Sequence, residues 1–113
     1  MGAFVVGEVL VLDFPFSDLK RKKKRPVIVV GQSDYGNIIV AQITSKLPPD
    51  ASGIPLDNSD FLDSSPLISR SYIRANKIFT ADPQLVLKSI GVINMKKQKE
   101  IGLSLRKTFK ELL

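Results

Sequence analysis

The run RPVIVVGQ at 25–32 is followed, after SDYGN at 33–37, by IIVAQITS at 38–45. Two short stretches dense in Val and Ile, separated by Asp, Gly and Asn at turn positions, predict a β-hairpin. Neither stretch has the length or the 3.6-residue period of a helix, so the fold must be built on strand pairing. Both parities of the first stretch are apolar, with Val27 and Val29 on one side and Ile28 and Val30 on the other. One face is expected to fill a core. The other needs cover from a helix or a second subunit.

The rest of the chain extends this β pattern. GEVLVLDF at 7–14 reads as a preceding strand opened by a glycine, and PFSDLKRKKK at 15–24 as an exposed loop. KLPPDASG at 46–53 is a loop, IPLDN at 54–58 a short edge strand, FLDSSPLIS irregular, and RSYIRANKIFTA at 70–81 a further β segment. DPQLVLKSIG at 82–91 suggests a turn of helix followed by a connection.

The tail changes period. Ile101, Leu105, Phe109 and Leu112 fall at 4-4-3 spacing, one apolar face of a helix, with Asn94 as its N-cap. Gly102 costs that helix about 1 kcal/mol relative to alanine. Lys107 and Lys110 complement the helix dipole near its end. No repeat or linker divides the chain, which predicts one domain over 1–113. The expected class is mainly β with one helix (β+α): a small, strongly curved barrel or sandwich closed by a C-terminal helix.

Composition narrows the chemistry. The 113 residues contain neither Cys nor His. Disulfides, thiolate metal sites and the commonest general base are therefore excluded. Asp57, Asp60 and Asp63 are spaced i, i+3, i+6, unlike a calcium loop, and read as an exposed acidic segment. No metal and no cofactor are expected. No apolar run approaches the roughly 20 residues of a membrane span. The N-terminus lacks the basic leader of a signal peptide, and Val6 stands where a myristoylation motif wants Ser or Thr. A soluble, cytoplasmic protein with no membrane partner is the expectation. Its net charge of +6 favours polyanionic partners.

That charge is concentrated. Lys20, Arg21, Lys22, Lys23, Lys24 and Arg25 are consecutive and abut the second strand. Arg25 offers a planar fork matched to phosphate oxygens, while the lysines offer mobile point charges. A merely solvated turn is the plain alternative. Hairpin register decides what Arg25 meets. With a two-residue turn, cross-strand partners sum to 69 or 71, and either register puts Arg25 and Thr44 on one face. A three-residue turn would place Ser45 there instead. Ile39, Ala41 and Ile43 form the apolar face of the third strand, leaving Gln42 and Thr44 on the polar one, which favours Thr44. Phe16 suits either a core anchor or a base-stacking platform.

Taken in order, GEVLVLDFPFSD, KKRPVIVV, AQITSKLP, SYIRANKIFTAD and IGVIN resemble the MazF/PemK toxins of bacterial toxin–antitoxin systems, over 7–109. The resemblance implies an SH3-like small barrel with a C-terminal helix, acting as a homodimer and restrained by an antitoxin protein. It also implies sequence-selective, metal-independent cleavage of single-stranded RNA. The family's loop-end arginine falls on Arg25 and its third-strand threonine on Thr44. The loop that gates and contacts RNA falls on 16–24. RNA contacts are thus expected from Phe16, Ser17, Asp18, Lys20, Arg21, Lys22, Lys23 and Lys24, with Gln42, Ser45 and Lys77 beside them. The chain departs from the family in its lysine-packed loop and in Phe79, where polar or basic residues are common.

RNA carries its own nucleophile, the 2′-OH, so cleavage requires only in-line orientation, charge stabilisation and a proton for the leaving oxygen. Arg25 fits charge stabilisation and proton donation, and Thr44 fits hydrogen bonding to the scissile phosphate. A guanidinium is a poor base, and the sequence names no other. Two further readings are a non-catalytic nucleic-acid-binding barrel and a CcdB-like gyrase poison on the same fold.

Overall fold

The computed structural model describes residues 4–15, 22–48, 53–63 and 70–113. Its strands are β1 (Glu8–Pro15), β2 (Lys22–Gln32), β3 (Ile38–Thr44), β4 (Ile54–Leu56), β5 (Ser71–Ala81) and β6 (Val86–Val92). They form one curled antiparallel sheet in the order β4-β5-β3-β2-β1-β6, and the helix α1 (Met95–Thr108) comes after it in the chain. The mainly β class with one C-terminal helix is the observed one. Among the described residues, no helix is long and apolar enough to cross a membrane.

The β2–β3 hairpin forms, but its turn spans 33–37. There the Ser33 N–H donates to the Asn37 carbonyl at 3.0 Å, and Gly36 takes a φ of +84°. Gln32 pairs with Ile38 and Gly31 with Ile39, a register summing to 70. Val30 is then an extra residue, a β-bulge. Beyond it Val29–Val40, Ile28–Ala41 and Val27–Gln42 sum to 69. One bulged residue has moved every later side chain of β2 to the opposite face.

β2 also starts earlier than predicted. The lysines read as loop enter the ladder, with Asp13 opposite Lys24, Phe14 opposite Lys23 and Pro15 opposite Lys22. Lys23 and Lys24 are exposed, so their backbones pair while their ammonium groups stay in water. Pro26 sits inside β2 opposite Val11, at a point where the ladder to β3 has not begun. A proline without an N–H is tolerated there because only one side is paired.

Both faces of the sheet are filled from within the chain. Ile28, Ala41, Ile43 and Ile73 pack with Phe61 and with Ile101 of α1. Leu10, Leu12, Val27, Val29 and Val40 pack on the other face, under Phe4, Phe79, Leu85 and Val86. Of the two covers expected for β2, a helix or a second subunit, the helix is present on one face through Ile101, and Phe4, Phe79, Leu85 and Val86 pack on the other.

Residues 82–91 differ from the sequence reading too. A 3-10 turn, Pro83–Leu85, is capped by Asp82, whose carboxylate accepts from the Gln84 N–H at 2.9 Å. Beyond that turn the chain is a strand, β6, joined to β1 through two register shifts. Leu87, Lys88 and Ser89 on it are all exposed, so its sequence lacks the alternation of a half-buried strand.

Asn94 caps α1 as expected, accepting from the Lys97 N–H at 2.8 Å. Ile101 is buried and Leu105 half-buried, but the helix ends at Thr108 and Leu112 is 86% exposed. The predicted apolar face thus stops at Leu105, and Lys110 lies past the last turn. Two side chains seat the helix. Lys97 Nζ donates to the Pro55 carbonyl at 2.8 Å and to Glu100 at 2.9 Å, with Asp60 at 3.8 Å. Gln98 Nε2 donates to the Ile93 carbonyl at 3.1 Å and lies against Gly7. Gly7 has a φ of +94°, and a Cβ there would stand 2.5 Å from that nitrogen. Only glycine satisfies both conditions.

Candidate nucleic-acid cleft

Three strand ends meet at one end of the sheet: the start of β2, the end of β3 and the start of β5. Continuing the Val27–Gln42 register two residues brings Arg25 opposite Thr44. On the flanks, Arg25 pairs with Leu12 of β1, and Thr44 with Tyr72 of β5. A paired row runs Leu10, Val27, Gln42, Arg74 across four strands, and the pairs Leu12–Arg25 and Thr44–Tyr72 lie two residues further along the strands. Side chains in these rows share a sheet face.

A cleft of about 300 Å³ opens here, lined by Lys23, Lys24, Arg25, Thr44 and Ser45 together with Pro26, Ile43, Ser71 and Ile90. Pro26, Ile43 and Ser71 have the opposite parity to Arg25, Thr44 and Tyr72, so the cleft crosses the strand ends rather than one face. Its described lining carries three cations and no carboxylate. Arg25 and Thr44 are half-buried, whereas Lys23 and Lys24 are exposed. The arrangement sets a positioned guanidinium beside a hydroxyl, with mobile ammonium groups at the rim. Thr44 Oγ1 accepts from the Lys46 N–H at 3.2 Å. Accepting that bond leaves its own proton to donate, the polarity a phosphate oxygen requires.

The structure thus brings together Arg25, Thr44, Lys23, Lys24 and Ser45 of the expected set. Gln42 is half-buried on the same face, one row further in. Lys77 is exposed on the irregular part of β5, where Ala41 pairs with Ile78 but Gln42 with Arg74, and it does not line the cleft. Lys22 opens β2. Phe16, Ser17, Asp18, Lys20 and Arg21 lie outside the described residues. Sequence reasoning passed over Tyr72 and Arg74. The signal was the alternation of half-buried Tyr72 and Arg74 with buried Ser71, Ile73 and Ala75.

The aspartates at 57 and 60 serve the backbone. Asp57 accepts from the Ser59 N–H at 3.0 Å and its hydroxyl at 2.6 Å, while Asp60 accepts from the Asp57 N–H at 2.9 Å. The Ser59 hydroxyl, then the Ser59 N–H, hold the Asp57 carboxyl below its ordinary value of 3.8. Among the described residues no cluster of three potential metal ligands occurs.

Solved structures share this architecture. An endoribonuclease from a mycobacterial species, in complex with its cognate antitoxin, superposes with a TM-score of 0.72 at 15% identity, covering 96% of each chain. The Mycobacterium tuberculosis toxin MazF-mt6 gives 0.68 at 17% identity, covering 91% of this chain and 96% of that one. The MazE–MazF structure from Deinococcus radiodurans gives 0.73 at 14% identity, covering 93% and 94%. At these identities the likeness is one of fold. Among curated proteins none matches the sequence. The profile of the PemK-like, MazF-like toxins of type II toxin–antitoxin systems matches residues 6–109, and the chain belongs to that family.

Proposed function

We propose that this toxin is a sequence-selective endoribonuclease acting on single-stranded RNA without a metal ion. The observation that carries the reading is the cleft in which Arg25 and Thr44 lie together with Lys23 and Lys24. Arg25 stabilises the charge of the phosphorane and supplies a proton towards the leaving 5′-oxygen. Thr44 donates a hydrogen bond to the scissile phosphate. The lysines hold flanking phosphates. Arg74 and Tyr72, on the same sheet face, extend the surface along the bound strand. The substrate's 2′-OH loses its proton to solvent and attacks the adjacent phosphorus. The P–O5′ bond breaks, and the 5′-oxygen takes the proton from Arg25, which regains one from water, leaving a 2′,3′-cyclic phosphate and a 5′-OH. A cognate antitoxin is the natural restraint on such a cleft, and a homodimer the natural assembly.

The test is a long single-stranded RNA incubated with the protein in excess chelator, with the fragment ends analysed. Discrete fragments bearing cyclic phosphate are expected. A single 2′-deoxy sugar on the 5′ side of the scissile bond should block cutting while binding persists. Normal cutting of the deoxy substrate would overturn the mechanism, and binding without fragments would make the protein a non-catalytic RNA binder.

A further inference from the structure

The outward face of α1 has no role in the cleft chemistry. Lys96, Lys99, Leu103, Arg106 and Lys107 recur at 3-4-3-1 spacing, so they share one helix face, and all five are exposed. The row spans roughly 17 Å at 1.5 Å per residue. None of its four cations forms an ion pair or a side-chain hydrogen bond with a described residue. The one carboxylate of α1, Glu100, is held by Lys97 at 2.9 Å. The row is thus an uncompensated positive stripe on a rigid element, although like charges one turn apart disfavour the helix.

A second observation lies in the same place. Gly102 sits in the middle of α1, and a Cβ built on it would meet nothing within 4 Å. Neither internal packing nor a left-handed backbone calls for glycine there, and glycine weakens a helix interior. What it does is leave a shallow depression of about 320 Å³, lined by Lys99, Gly102, Leu103 and Arg106. Gly102 also borders an apolar pocket of about 120 Å³ with Ile28, Val30 and Leu105, and on the outer side the missing side chain permits close approach from outside the chain.

We infer that this face of α1 is a second RNA-binding surface, which grips the sugar–phosphate backbone of double-helical RNA with Lys99 and Arg106 on either side of the Gly102 notch. Charge complementarity selects the occupant. A partner helix would need an apolar row at i, i+3, i+4 and i+7, whereas this stripe offers Leu103 alone. Two copies of the chain meeting here would set four cations against four. No aromatic side chain lies on the stripe, so unstacked bases find no platform and the contact is with backbone only. Choosing RNA rests on the proposed substrate. The surface would hold structured RNA while the cleft works on an adjoining single strand.

The experiment is an anisotropy titration of the protein with a blunt RNA duplex of about 16 base pairs, the span of a known duplex-binding module. The triple variant Lys99→Gln, Arg106→Gln, Lys107→Gln should bind at least tenfold more weakly at about 0.1 M salt. Its slope of log affinity against log salt should fall by about 2–3, from 0.7–0.9 per lost contact. Gly102→Leu should weaken duplex binding several-fold while raising the melting temperature, because leucine is the better helix former. Both variants should cut a short unstructured oligonucleotide at the rate of the unaltered protein. Unchanged duplex affinity in either variant would overturn the inference. So would tighter capture of a DNA duplex of the same sequence, or equal competition by polyglutamate. If the unaltered protein leaves the short oligonucleotide intact, the ribonuclease reading fails while the duplex titration still decides this one.

Discussion

Arg25 and Thr44 line one cleft, and a single bulged residue, Val30, sets the register of the two strands that carry them. The hairpin leaves its turn in a register that, continued, would oppose Arg25 to Ser45, and the bulge converts it to one that, continued two residues past the last pair, Val27–Gln42, would oppose Arg25 to Thr44. The register inferred from a two-residue turn has a different origin: the turn spans 33–37, and the bulge brings the sum to 69 from Val29 to Val27.

Replacing Arg25 by Ala should lower cleavage by about 10²–10³, the usual loss when one preorganised donor to a developing oxyanion is removed. Lysine should rescue little, because a point charge does not reproduce a bidentate fork. The residue is half-buried within β2, so a modest drop in melting temperature is expected as well. Single-turnover rates for both variants, measured beside circular dichroism, check this; near-normal rates would sink the charge-stabilising role.

Lys23 and Lys24 should act through charge alone. The double Gln variant should weaken binding of single-stranded RNA to a similar degree for every sequence. Its salt slope should fall by about 1.4, or 0.7 for each contact. An unchanged slope would return both residues to solvated positions on β2.

The parts of the fold legible in sequence were those in which burial and periodicity agree. The β2–β3 hairpin and the Asn94 cap are of this kind. β6 was missed because exposed Leu87, Lys88 and Ser89 give an edge strand no alternation to detect. The apolar repeat of α1 runs on to Leu112 in sequence, but the helix stops at Thr108 and Leu112 is 86% exposed. Lys23 and Lys24 read as loop because charge says nothing about backbone pairing. Arg25 and Thr44 share the cleft lining, but the parity argument for them rested on a two-residue turn, in place of which the chain has a turn over 33–37 and a bulge at Val30. Arg74, outside the cleft lining, was not singled out, although it alternates with buried Ile73 and Ala75.

Gly7→Ala should destabilise the fold by about 1–3 kcal/mol, from a disfavoured positive φ combined with overlap on Gln98. Adding Gln98→Ala should recover the overlap part and leave the backbone part. Urea unfolding of the two single variants and the double variant separates them. Full recovery in the double variant would show that the backbone carries no strain.

Acid should release the Asp57 cap. Its carboxyl titrates below the ordinary value of 3.8 because Ser59 donates to the charged form. A depressed folded value means the stabilisation is complete above the unfolded pKa of about 3.9 and fades as pH falls through the folded value. Asp57→Asn should therefore melt below the unaltered protein at pH 7, and the gap should close on acidification. A gap that persists at low pH would mean that the carboxylate's charge is not what stabilises the cap.

Lys97 has a consequence for the outer margin of the sheet. β4 is a terminal strand of three residues, and such margins invite a foreign chain to add itself. At its centre Pro55 has no N–H to donate, and its carbonyl is already taken by Lys97 Nζ at 2.8 Å. An incoming strand finds neither donor nor acceptor at that residue. The same ammonium group that seats the helix thereby guards a growth point for aggregation.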